Sequence, residues 1–230
     1  MYYINNKQSG FTLVEIAIVL VIIGLLLGGI LKGQELINSA RVRNLADQNS
    51  GIQAAYYGFI DRYRQVPGDW DNAPATIAIG TSIYTGGNGN GRIDKTLEES
   101  ASVWEQLARS NFIGGGFTPA TAAPASEADY ILVAPNNAFN GPITLNRNDD
   151  FSGTASNRLN LHIGNNIPVA IARELDVKVD DAKPLTGVLR LTNAGSAPFT
   201  TVHALGSTCE NAGEYDIAAD VQDCGLVFLY

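Results

Sequence analysis

Residues 7–31 read KQSGFTLVEIAIVLVIIGLLLGGIL, and the organisation of the chain is read outward from them. No polar side chain occurs from Ile16 to Leu31. With Phe11–Glu15 the block covers 11–31. As a helix rising about 1.5 Å per residue it would be roughly 30 Å long, the hydrocarbon thickness of a bilayer. Ahead of it lies a short polar segment carrying Lys7, and behind it little positive charge except Lys32. That asymmetry favours a cytoplasmic N-terminus, with the rest of the chain outside the cytoplasm. Glu15 is the anomaly. A carboxylate within a span costs about 2.5–3.5 kcal/mol even on a lenient scale, so it asks for a partner.

Three readings compete for the block. A secretory signal peptide would have a shorter apolar core and a small-x-small cleavage site, and none is obvious before the run passes through GGILKGQEL. A plain membrane anchor fits the hydropathy but leaves Glu15 unexplained. The third reading supplies the partner. Lys7-Gln8-Ser9-Gly10-Phe11-Thr12-Leu13-Val14-Glu15 closely resembles the processing site of type IV prepilins and pseudopilins: a short basic leader, Gly, Phe, Thr-Leu-Val-Glu, then an apolar helix. The resemblance implies cleavage between Gly10 and Phe11 by a membrane-embedded prepilin peptidase, and N-methylation of Phe11. Cleavage would create an α-amine that is mostly cationic near neutrality, and methylation would keep the charge. Glu15 lies one helical turn on, able to pair with its own amine or a neighbour's. The resemblance implies that the inter-subunit pair is the one used in assembly.

Beyond Leu31 the pattern turns amphipathic. Ile37, Leu45, Gln48, Ile52, Ala55, Phe59 and Tyr63 form a stripe, broken by a wider gap at Arg41, with Arg43, Asp47, Asp61, Arg62 and Arg64 off it. The helix is expected to stop near Gln65-Val66-Pro67-Gly68. Gly24, Gly28, Gly29 and Gly33 read either as close helix packing or as places where a helix melts or bends.

The rest is acidic. Of the chain's net charge of −8, residues 1–66 carry +2 and residues 67–230 carry −10. A head of that sign is a poor phosphate binder, so no nucleic-acid partner is expected. Residues 68–94 read as loop. Thr96 with Glu99 is a capping box opening a helix through about Ser110, with Val103, Trp104, Leu107 and Ala108 inward and Gly114-Gly115-Gly116 as its end. Residues 118–126 read as surface loop. Tyr130–Ala134, Ile143–Leu145, Arg158–Ile163, Gly187–Thr192 and Leu226–Tyr230 read as strands, and Asn166 with Pro168 as the start of a short helix through Leu175. The expected fold is α+β: a long N-terminal helix, membrane-spanning then amphipathic, packed on a C-terminal antiparallel sheet head. The divisions are a leader at 1–10, a span at 11–33, the amphipathic half at 34–66 and the head at 67–230.

Candidate sites in the head are few. Gly86–Asp94 partly resembles a calcium loop, with Asn88, Asn90 and Asp94 as possible oxygen ligands. Gly86 stands at the first ligand position, so a glycine-rich turn is the simpler reading and no cofactor is expected. Asp176, Asp180 and Asp181 form a second acidic cluster that reads as a solvated turn. The Val66-Pro67-Gly68-Asp69 turn, the Gly/Asn loop, Trp104-x-x-Leu107 and Asp180-Asp181-x-x-Pro184-x-Thr186-Gly187 also resemble a group of large pilin-like proteins, with Ala182 where a Gly would stand. Cys209 and Cys224 are expected to be oxidised outside the cytoplasm, the alternative being free thiols in a cytoplasmic head. A bridge there would contribute about 3 kcal/mol in the chain-entropy model. Its loop, with five acidic residues, is expected to be exposed. Pilins commonly carry such a C-terminal bridge. His162 and His203 read as surface residues of a strand and a loop rather than as a general base. With no Gly-x-Ser-x-Gly elbow and no phosphate loop, an enzyme is not expected.

The resemblance therefore implies a structural subunit of a type IV pilus-type filament, most like a minor pilin. It would sit in the bacterial inner membrane with a periplasmic head before entering the pilus or pseudopilus. The alternatives are a pseudopilin of a type II secretion system and a monomeric membrane-anchored binding domain. The implied partners are other pilin or pseudopilin subunits, the prepilin peptidase and methylase, the inner-membrane assembly platform and the bilayer.

Overall fold

The computed structural model describes residues 12–80, 86–114, 122–193, 195, 197–203 and 209–230. It falls into two compact units, one ending at Ala40 and the other comprising Arg41–Tyr230. Helix α1 (Leu13–Tyr63) contributes to both. In the first unit it runs unbroken through Gly24, Gly28, Gly29 and Gly33, with no neighbouring atom where a Cβ on any of them would stand.

In the second unit α1 buries Val42, Leu45, Ile52, Ala55 and Phe59, a stripe at helical spacing. The stripe differs from the expected one at two places. Ile37 is 54 % exposed, and Val42 fills the gap left at Arg41. Gln48 is half-buried and donates from Nε2 to the Asn136 carbonyl at 2.9 Å. The helix ends at Tyr63, two residues early, because Arg64 turns left-handed (φ 56°) ahead of Pro67. At Gly68 (φ 91°) an added Cβ would lie 2.5 Å from Val103 Cγ2 and 2.8 Å from the Glu99 carbonyl. Glycine there lets the Val66–Asp69 turn sit directly against the next long helix.

Helix α2 (Asn72–Ile79) occupies what reads as loop. Pro74 falls within its first turn, where proline is tolerated, and Gly80 closes it at φ 73°. Helix α3 (Leu97–Arg109) opens as expected, the Thr96 hydroxyl accepting from the Glu99 amide at 3.1 Å. It buries Val103, Trp104 and Leu107, with Ala108 half-buried. It ends at Arg109 without the glycines, Asn111 taking the left-handed position (φ 63°). Tyr130–Ala134 is not a strand. It lies in and just after helix α4 (Glu127–Val133), which Ser126 caps by accepting from the Asp129 amide. Glu127 and Asp129 in the first turn favour helix there.

Four antiparallel strands make the sheet: β1 (Thr144–Asn148), β2 (Arg158–His162), β6 (Leu226–Leu229) and β3 (Leu189–Leu191), in that spatial order. Helix α5 (Val169–Val179) follows β2 with Pro168 at its N-cap. The fold is thus α+β, with a long N-terminal helix followed by a C-terminal antiparallel sheet. Leu145, Leu161, Phe228 and Leu189 stand side by side in the register and face the main core, with α1 and Trp104 in the same cluster. The opposite face carries Thr144, Asn146, Asn148, Asn160 and His162, all buried. Strands β4 (Glu210–Asn211) and β5 (Glu214–Tyr215) form a separate hairpin with positive φ at both Ala212 and Gly213, the geometry of a two-residue hairpin turn.

Candidate functional site

At the start of α1 the Thr12-x-x-Glu15 pattern closes on itself. The Thr12 amide and hydroxyl both donate to Glu15 Oε2 at 2.8 Å, and the Glu15 amide donates back to Thr12 Oγ1 at 3.3 Å. This is a reciprocal capping box, which satisfies donors the first turn otherwise leaves open. The same spacing read at Thr96–Glu99 is the signal that finds it. Gly10 and Phe11 lie outside the described residues. From Leu13 to Leu31 the large apolar side chains are uncovered, between 46 % (Ile23) and 91 % (Leu13) exposed. An exposed Lys32–Glu35 ion pair at 2.7 Å follows directly. A helix of this length and composition is able to cross a membrane.

The structure brings Asn88, Asn90 and Asp94 together and adds two carboxylates that sequence reading left out. Asp94 Oδ2 accepts from Asn88 Nδ2 at 3.0 Å and from Asn90 Nδ2 at 2.7 Å, and Arg92 pairs with Oδ1 at 2.9 Å. Asp69 accepts from the Gly89, Asn90 and Gly91 amides. Glu99 accepts from Asn88 Nδ2 and the Asp94 amide. Burial, with Asp94 and Asp69 nearby, raises the Glu99 carboxyl above its ordinary value despite those two hydrogen bonds. Asp94, Asp69 and Glu99 are the charged oxygens a cation would meet, and in the described structure each holds a donor of the loop itself.

The second acidic cluster is not a solvated turn throughout. Asp180 and Asp181 are half-buried and exposed, but Asp176 is fully buried. It accepts from Tyr215 Oη at 2.8 Å and from the Ala182 amide at 3.3 Å. Burial is the main cause pushing its carboxyl up to about 6, with Asp181 and Asp180 adding to it. Ala182 sits at φ 63°, a left-handed conformation that suits glycine, the residue the resemblance places there. Cys209 and Cys224 form a disulfide with Cα atoms 5.8 Å apart, and both are buried. Within the loop Glu214, Asp220 and Asp223 are exposed and Glu210 and Asp216 half-buried. The histidines are not on the surface. Both are wholly buried, their rings stacked 3.7 Å apart. Asp150, His203 and Thr144 line up at 2.9 and 2.6 Å, a relay-like row, but the imidazole and hydroxyl have no exposed surface to present to a substrate.

Residues 5–31 match the family model of the prokaryotic N-terminal methylation motif. The chain carries the type IV pilin and pseudopilin signature. Searches of curated proteins and of solved structures found no match. The match spans Gly10, Phe11, Thr12 and Glu15 and ends at Leu31, where the apolar run ends. The motif points to a structural subunit. The motif implies processing by a prepilin peptidase and assembly with other pilin subunits, and the uncovered apolar helix fits membrane anchoring.

Proposed function

We propose that this pilin-like chain is a structural subunit, of the minor-pilin kind, in a type IV pilus-type filament. One observation carries the reading: the methylation motif heads a helix whose large apolar side chains from Leu13 to Leu31 are all uncovered. Such a surface needs lipid before assembly and other helices after it. Cleavage between Gly10 and Phe11, methylation of Phe11 and pairing of Glu15 with a neighbouring subunit's amine complete the account. Lys7 ahead of the span supports a cytoplasmic N-terminus and a periplasmic head in a bacterial inner membrane. The elaborated head with its disulfide supports a minor rather than a bulk role. No cofactor is required, and calcium at the Asn88–Asp94 loop is left to a metal titration. The motif is equally that of pseudopilins, so a type II secretion pseudopilus is the other assembly to test. Filaments sheared from cells of the source bacterium are expected to contain the chain, detected by antibody against the head. Its confinement to membranes when pili and pseudopili are present would favour a monomeric anchored domain.

A further inference from the structure

The buried polar face of the sheet is crossed by residues 199–203. The segment forms no helix or strand, and side chains fasten it at both ends. At one end Glu127 of α4 accepts from the Thr201 amide at 2.9 Å, the Val202 amide at 2.6 Å and the Thr200 hydroxyl at 3.1 Å. At the other, His203 stacks on His162 of β2 and bridges Asp150 and Thr144. Phe199 stacks on His203 at 5.0 Å and meets Tyr130 edge-on at 5.1 Å.

The hydrogen bonds can all be met with both rings neutral. Burial raises the Asp150 carboxyl, but bonds from His203 and Lys95 outweigh it and hold the group below its usual value, so it is an acceptor. His203 therefore carries a proton on Nδ1, and in the neutral ring Nε2 accepts from the Thr144 hydroxyl. Asn148 Oδ1 already accepts from the Asp150 amide at 2.9 Å and Asn160 Nδ2 at 2.8 Å. That orients its Nδ2 toward His162 Nε2 at 3.1 Å, although Oδ1 is also 3.3 Å away. His162 then carries its proton on Nδ1, which has no partner among the described residues. A second proton would place a cation in a stack with no solvent contact, offset at His203 by Asp150 and at His162 by no adjoining carboxylate among the described residues. The charged groups facing the pair are Asp150 and Lys95, with Glu127 farther off; Lys95 opposes protonation of both rings, Asp150 and Glu127 favour it on His203, and burial outweighs them.

We propose that residues 199–203 are an acid-released strap, fastened over the sheet by the neutral His162–His203 stack and freed when that stack is protonated. The sign follows from burial. Both histidines are held below their ordinary value in the closed head, chiefly by desolvation. The closed strap is thus stable above pH 6.5 and is lost as pH falls, because the open form binds more protons. Between pH 6.5 and 5 the opening constant should rise by up to about 16-fold for one ring and up to about 270-fold for the pair.

Hydrogen exchange of the full chain in detergent, corrected for the intrinsic pH dependence of exchange, reads this directly. The amides of 199–203 should lose protection between pH 6.5 and 5 while those of 101–107 in α3 keep theirs. His162→Phe, which retains a stacked ring, should reduce the pH response to that of one histidine. Unchanged protection of 199–203 at pH 5 would overturn the proposal. So would simultaneous loss in α3, or a His162→Phe chain as responsive as the parent. Should that variant fail to fold, the comparison of 199–203 with α3 in the parent still decides.

Discussion

Replacing Glu15 by alanine is expected to exclude the chain from filaments while leaving cleavage after Gly10 and membrane insertion intact. A carboxylate and an amine about 4 Å apart, at an effective dielectric near 20, attract by about 4 kcal/mol before desolvation. Losing that from each contact weakens association by up to about a thousand-fold. The capping box at Thr12 supplies a competing explanation, since Glu15 also holds the first turn together. Glutamine separates the two. It keeps an acceptor for Thr12, as capping boxes allow, but removes the charge. Glu15→Gln is therefore expected to be as defective as Glu15→Ala in the sheared-filament fraction. Thr12→Val loses about 1 kcal/mol of capping and should still assemble. Normal incorporation of the glutamine chain would mean that the cap, not the charge, is what assembly needs.

The second large effect lies in the head. Trp104 is wholly buried among α1, α3 and the sheet, and its Nε1 donates to Tyr130 Oη at 2.9 Å. Tyr130 in turn donates to the Ile143 carbonyl at 2.7 Å. Trp104→Ala should cost about 3–5 kcal/mol through lost burial and the cavity left behind. Trp104→Phe keeps most of the apolar volume and forfeits one hydrogen bond, about 1 kcal/mol, plus a smaller void. Denaturant titration with the disulfide intact measures both. A loss below about 1 kcal/mol for the alanine variant would show that the head does not close around this side chain.

The parts of the fold that were legible are those where a local rule and the tertiary outcome agree. The run to Leu31 contains no polar side chain, and Leu45, Ile52, Ala55 and Phe59 repeat at helical spacing, so both stretches of α1 follow from period alone. Thr96-x-x-Glu99 marks the start of α3 within one residue. Arg158–Ile163, Gly187–Thr192 and Leu226–Tyr230 each contain a strand, and β1 begins at Thr144 within the shorter run expected there.

Where reading fails, something distant or ambiguous decides. Tyr130–Ala134 is a short apolar run that period cannot assign, and a capping serine four residues earlier settles it as helix. The alternation Thr144-Leu145-Asn146-Arg147-Asn148 suggests one polar, solvated face. Instead the 199–203 strap and Asp150 close over it, and no spacing in the strand announces that. The same closure buries His162 and His203. Asp69 holds amides at Gly89–Gly91, some twenty residues on, so its role is invisible beside the Pro-Gly turn it follows. Thr12–Glu15, by contrast, obeys the rule that reads Thr96–Glu99; attention to the charge of Glu15 hides the cap.

The central claim concerns covalent processing at the head of α1, and the intact mass of the chain extracted from membranes tests it most directly. The account predicts a chain beginning at Phe11, with one added methyl group on its α-amine and the Cys209–Cys224 bridge closed. A chain that retains Met1–Gly10 and an unmodified terminus, in a bacterium with an active prepilin peptidase, would contradict it.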